Sequence, residues 1–167
     1  MEADEVNGAP DPAAAEVLDV LAARGQTLAV AESLTGGQLA ATIVSVPGAS
    51  KAFRGGLVVY ATDLKARLAG VDEALLGEVG PVDAQVAEAM AAGARARCVA
   101  DWGLATTGVA GPDPQDGHPP GMAYVALAGA AGATSRQLLL AGTRADIRTA
   151  TVMAALALLA EQLGGPR

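Results

Sequence analysis

Ala29-Val30-Ala31-Glu32-Ser33-Leu34-Thr35-Gly36-Gly37 joins two different periodicities, and its reading decides the fold. Thr27 to Ala31 alternates and carries β-branched residues, the pattern of a buried strand. Gly36 to Val46 then repeats Leu39, Ile43 and Val46 at helical spacing. Ser33 therefore falls on a strand-to-helix turn. Such turns set side-chain hydroxyls beside unpaired helix N–H groups, and paired glycines let a ligand approach the backbone closely. The competing reading makes Ser33 or Thr35 an N-cap and nothing more.

Outward from this turn the chain alternates strands and helices. Upstream, Asp11-Pro12 opens a helix whose Ala14, Val17, Leu18 and Leu21 mark one face before Gly25 closes it. Downstream, Pro47-Gly48 is a stop signal, and Phe53 to Tyr60 reads as a second strand. Thr62-Asp63-Leu64-Lys65 begins a short helix, residues 71–79 give another, and Val82-Asp83 opens a longer one bearing Val86, Met90 and Ala94 as far as Cys98. Trp102 to Thr107 is a third strand. It empties into residues 108–121, the longest irregular stretch, of a length that is usually functional or mobile inside a compact domain. Met122 to Ala128 and Ser135 to Leu140 are close enough to form an antiparallel hairpin, and a terminal helix follows Gly142. The pattern predicts an α/β fold, a three-layer α/β/α sandwich around a mixed sheet of about five strands. Residues 1–12 read as a disordered acidic tail and residues 13–167 as a single domain.

With 18 acidic against 11 basic residues, a net charge of −7 and only four aromatics, the chain offers neither a phosphate-tracking surface nor a base-stacking platform. Nucleic acid is excluded as a partner on that ground. Cys98 stands alone, which rules out an internal disulfide and a cysteine-cluster metal site, and the lone His118 sits in a Pro/Gly loop unsuited to zinc. The composition fits a cytoplasmic protein needing no metal and no cofactor. The longest apolar run, Thr149 to Ala160, is shorter than the roughly 20 residues that span a bilayer. Val152, Met153, Leu156, Leu158 and Leu159 wrap far around that terminal helix, which predicts a covered face: a homodimer or higher homo-oligomer, unless the helix is central to its own domain. Neither a dinucleotide-binding glycine fingerprint nor a P-loop is present.

A serine needs a base to take its proton, and the single histidine lies far along the chain among prolines. Lysine is the alternative. The chain has nine arginines but only Lys51 and Lys65 as lysines, and of the two types only lysine can lose its proton near neutral pH. A coding bias toward arginine explains the scarcity equally well. With Thr62 as N-cap, Lys65 becomes the third helical residue, where the helix dipole disfavours an ammonium. Tyr60, five residues earlier, could hold the amine or relay a proton, or be an ordinary strand-end tyrosine. Spacing alone leaves open whether the Ser33 and Lys65 segments meet.

Ala31 to Gly37, Gly56 to Tyr60 followed by Lys65, Gly108-Val109-Ala110-Gly111-Pro112 and Gly142-Thr143-Arg144 resemble, in order and spacing, the carboxy-terminal domain of the CinA family. The resemblance runs from about Val17 to Leu163. It implies nicotinamide-nucleotide amidase activity, in which the carboxamide of nicotinamide mononucleotide is hydrolysed to nicotinate mononucleotide and ammonia without metal. It further implies Ser33 as nucleophile, Lys65 as base and Tyr60 beside them. Thr35, Gly36, Gly37, Thr107, Gly108, Ala110, Gly111 and Arg144 are the implied substrate contacts. Longer members carry an additional amino-terminal domain, and this chain looks like the standalone form. Three positions depart from the family pattern: Thr143 stands where an aspartate is common, Thr107 where a serine is common, and Pro119 near a frequent lysine. The first and last of these keep a second expectation alive, a pyridine-nucleotide-binding module of the same fold without chemistry.

Overall fold

Strand β1 (Leu28–Glu32) is the centre from which the layers are laid down, because all five of its residues are buried. In this computed structural model, which describes residues 9–164, Leu28 and Val30 point to one face of the sheet and Ala29 and Ala31 to the other. The large side chains meet α1 (Pro12–Ala23), α2 (Gln38–Val44) and α6 (Arg144–Gln162). The alanines meet α5 (Ala84–Arg97), with α3 (Thr62–Arg67) and α4 (Glu73–Val79) beside it. That second face is built for close approach. A Cβ at Gly103 would lie 1.9 Å from the Ala91 carbonyl oxygen, so α5 rests almost directly on the sheet backbone.

The sheet has five strands in the order β2-β1-β3-β4-β5, with β2 (Phe53–Val58), β3 (Trp102–Gly108), β4 (Met122–Gly129) and β5 (Gly132–Leu139). β1 pairs in parallel with both β2 and β3, whereas β3, β4 and β5 form an antiparallel meander. The expected three-layer mixed-sheet architecture is the one observed. The chain leaves β1 through α2 on one face to reach β2, then returns through the opposite face to reach β3. Strand order thus diverges on either side of β1, and in open α/β sheets the crevice beyond the carboxyl ends at such a point is where ligands bind.

The terminal helix has its apolar breadth covered within the chain itself. Val152, Leu156, Leu158 and Leu159 are buried by the chain's own sheet and α1, and of the five apolar residues that wrap the helix only Met153 is exposed. The helix is central to its own domain. Of the expected tail, residues 1–8 lie outside the described residues, while Asp11 already caps α1 and Pro12 is its first residue. No described helix is long and apolar enough to cross a membrane.

Candidate active site

Strand parity delivers the two central side chains to the same place. Glu32 continues the face of Leu28 and Val30, so Ser33, one residue on, falls on the face of Ala29 and Ala31, toward α3 and α5. α3 follows the end of β2 and is too short to be stable except through what it packs against. Its one buried residue is Lys65, 1% exposed, with Nζ 3.1 Å from Ser33 Oγ. The amine also donates to the Val59 carbonyl at 2.9 Å, and the Tyr60 carbonyl lies at 3.5 Å.

These partners decide what the amine can do when neutral. An uncharged amine has two N–H bonds and one lone pair, and carbonyl oxygens can only accept. With its hydrogens on Val59 and Tyr60, its lone pair is left for the one neighbour that can donate, the Ser33 hydroxyl. Burial pushes the Lys65 pKa down to about 8, and the carboxylate of Asp116 partly opposes that shift. About a tenth of the molecules then carry the free base at pH 7. The helix dipole is not the main cause, and the helix start also differs from expectation. Ala61 occupies the N-cap position, so Lys65 is the fourth helical residue. Thr62 makes no cap bond because the chain arrives extended through Ala61, and the helix begins with Leu64 N–H donating to the Ala61 carbonyl at 3.2 Å.

A lowered lysine pKa has a stability consequence with a definite sign. Below pH 8 both folded and unfolded chains carry the ammonium, and the fold bears the full cost of burying it. Between about 8 and the ordinary 10.5 the folded chain is neutral while the unfolded chain still binds the proton, so stability rises with pH. Relative to Lys65→Met, which has no such group, the wild type should gain about 2–3 kcal/mol between pH 7 and pH 10. Urea unfolding of both proteins at each pH measures it; parallel curves would show that the lysine titrates normally.

The Ser33 turn is held from several sides. Gly36 and Gly37 adopt φ of +56° and +101°, a conformation that favours glycine, and α2 begins directly afterwards. Its cap comes from neither Ser33 nor Thr35. The buried Glu32 carboxylate accepts from Leu39 N–H at 2.8 Å and from Ala40 N–H at 3.1 Å, which leaves the Ser33 hydroxyl free for Lys65. Thr35 is fully buried and shares a 2.7 Å hydrogen bond with Thr106 Oγ1, and Arg148 donates to the carbonyls of Leu34 and Thr35. Leu34, Ala110, Ala123 and Ile147 form a small buried cluster that packs this turn against the loop after β3 and against α6.

A cleft of about 240 Å³ opens at Ser33 and Lys65, walled by Tyr60 and Thr62, by Pro81 and Val82, by Thr107 to Gln115, and by Arg144. Of the expected contacts, Thr107, Gly108, Ala110, Gly111 and Arg144 line it, whereas Thr35, Gly36 and Gly37 do not. Thr107 also donates to the Pro81 carbonyl at 2.6 Å. Arg144, the first residue of α6, donates to the Gly111 carbonyl at 2.8 Å and to the Tyr60 hydroxyl at 3.1 Å. It has no carboxylate partner among the described residues, so its charge is open to the cleft. Tyr60 is placed differently from expectation: its backbone carbonyl, not its phenol, faces the lysine. Thr143 caps α6 reciprocally with Asp146. The irregular stretch after β3 contains a tight turn in which Gln115 and His118 exchange backbone hydrogen bonds around Asp116 and Gly117.

Two residues escaped sequence reasoning. Glu32 was readable by parity, since a carboxylate two residues beyond Val30 must face the helix that follows. Arg148 lies four residues after Arg144, hence on the same side of α6, and that spacing was its only signal.

The family model described as the CinA C-terminal domain matches residues 11–163. A CinA-like protein of Frankia casuarinae is 52% identical over 158 residues, covering 95% of this chain and 36% of that protein. One from Geobacter sulfurreducens is 50% identical over 141 residues, with 84% and 34% covered. The chain spans about a third of the length of these relatives. Among solved structures, the competence or damage-inducible protein from Enterobacter asburiae superposes with a TM-score of 0.89 at 29% identity, covering 94% of this chain and 99% of that one. The corresponding protein from Agrobacterium tumefaciens gives 0.84 at 30% identity, with 95% and 99% covered. Sequence blocks, topology and these likenesses agree, and the chain belongs to the CinA C-terminal domain family.

Proposed function

We propose that the protein hydrolyses the carboxamide of nicotinamide mononucleotide to nicotinate mononucleotide and ammonia through an acyl-enzyme on Ser33. The observation that carries this reading is the buried Lys65 amine 3.1 Å from Ser33 Oγ, with its other two partners limited to accepting. Neutral Lys65 takes the Ser33 proton as the oxygen attacks the carboxamide carbon, and returns it to the nitrogen as the C–N bond breaks and ammonia leaves. Water then attacks the ester, giving its proton to Lys65, and Ser33 recovers a proton as nicotinate departs. Backbone N–H groups of Leu34, beside the nucleophile, and of Ala110 and Gly111 across the cleft are the donors available to the oxyanion. Arg144, with an unneutralised guanidinium at the cleft mouth, suits the substrate phosphate.

Ammonia release on adding nicotinamide mononucleotide, with equilibrium binding measured in parallel, tests the proposal. Binding without release would reduce the protein to a nucleotide-binding module. Assembly into a homo-oligomer is a further proposal, carried by the resemblance rather than by the buried α6. Tyr60→Phe separates two roles for that residue. As the group that orients Arg144, its loss should raise KM by about 3- to 10-fold and leave kcat within about twofold, the size of one hydrogen bond. A fall in kcat of a hundredfold would restore it as a proton relay.

A further inference from the structure

Resting on the acyl-transfer reading above, we infer that Arg148 is a positioning residue that sets the peptide planes of the Ser33 turn so that the Leu34 N–H is free for the oxyanion. Its guanidinium spans two consecutive carbonyls, with Nε 3.0 Å from Leu34 O and Nη2 2.8 Å from Thr35 O. Consecutive carbonyls aimed at one cation do not occur in extended chain, where they alternate; they belong to a helix-like turn. The Ser33 carbonyl fits that turn, accepting from Gly36 N–H at 3.0 Å, and Thr35 O accepts also from Gln38 N–H at 3.0 Å. In a trans peptide the N–H points opposite to the C=O. Arg148 holds the Thr35 carbonyl, the Gly36 N–H of that same peptide donates to the Ser33 carbonyl, and the N–H of the Ser33–Leu34 peptide is thereby turned the other way, on the residue that lines the cleft. The Leu34 N–H has no acceptor among the described residues.

Anchoring the turn to the fold is already accomplished by other groups. Glu32 holds the start of α2, Thr35 is tied to Thr106, and Leu34 is buried against Ala110 and Ile147. What Arg148 adds is orientation: aligned carbonyl dipoles repel, and a planar cation bridging both oxygens removes that repulsion. A lysine meets two carbonyls only from a single point, as Lys65 does at Val59 and Tyr60, and lacks the planar fork that gives each oxygen its own nitrogen.

The test uses wild type, Arg148→Ala and Arg148→Lys, with two rates for each: nicotinamide mononucleotide hydrolysis, and covalent labelling of Ser33 by a fluorophosphonate, which needs the turn but not the nucleotide. Removing the orientation should lower kcat and the labelling rate together by about 100-fold, the effect of losing one oxyanion donor, with KM within about threefold. The acid limb set by Lys65 should not move. Guanidinium at millimolar concentration should partly restore Arg148→Ala, and Arg148→Lys should recover less than a tenth of the wild-type rate. Wild-type rates in either folded variant would overturn the inference, as would a raised KM at unchanged kcat or losses that follow only the unfolded fraction. Should Arg148→Ala fail to fold, Arg148→Lys decides alone. A wild type that labels but releases no ammonia rejects the substrate and leaves Arg148 to the labelling rates; a wild type that does neither overturns both.

Discussion

Lys65→Arg is expected to yield a folded protein whose hydrolysis of nicotinamide mononucleotide is slower by about 10³- to 10⁴-fold, the full contribution of a general base to its nucleophile. Arginine keeps the positive charge and cannot release its proton in the working pH range, so the substitution separates two readings of the same position. If the lysine served only to attract a phosphate, the arginine variant would retain most of the activity. Ser33→Ala should lose turnover comparably while still binding substrate, because Arg144 and the loop after β3 remain. The double variant should be little worse than either single one, since the pair acts as a unit. Lys65 is 1% exposed, so the bulkier arginine needs a control for crowding. Lys65→Met, similar in length and uncharged, supplies it and should be equally inactive. In the wild type, kcat/KM should rise with pH to a limb at about 8. Near wild-type hydrolysis by Lys65→Arg would mean that another base acts on Ser33.

How much of this site was legible beforehand follows from which links are local. The alternation of β1, the helix after the glycines and the late hairpin are all short-range patterns, and the layer order was readable from them. The meeting of Ser33 and Lys65 depends on the parallel register that sets Glu32 beside Val58 and Thr106, a pairing between strands far apart in sequence. No local spacing encodes it, and the family resemblance supplied that pairing. The error at Thr62 has a different origin. A threonine before an acidic residue reads as a cap, but here the preceding Val59 and Tyr60 carbonyls are engaged by the lysine side chain, and the helix begins around that contact. The breadth of the apolar stripe on α6 left two readings open, because periodicity reports how much of a helix is covered and not by what. Its cover is the chain's own α1 and sheet.

Glu32→Gln, nearly isosteric, is expected to cost about 2–4 kcal/mol of stability, far more than its small change in shape suggests. The carboxylate is fully buried and uses one oxygen for each of two donors, Leu39 N–H at 2.8 Å and Ala40 N–H at 3.1 Å. A glutamine presents one oxygen and one NH₂ group. Either orientation keeps one bond and sets a donor against a donor at the other, with no solvent to relieve it. The negative charge that faces the start of α2 is lost as well, and this helix has no side-chain cap at Gly37 to compensate. Glu32→Asp, one methylene shorter, cannot reach both N–H groups and should fall between the wild type and the glutamine variant. Urea unfolding should register the Gln change as a midpoint lowered by about 1–2 M. Activity should fall with it even where the variant remains folded, because the residue after Glu32 is Ser33 and the turn between them and α2 loses its fixed end. A midpoint within 0.3 M of wild type, with roughly 0.5 kcal/mol or less lost, would show that this carboxylate does not bind the helix start as its geometry requires.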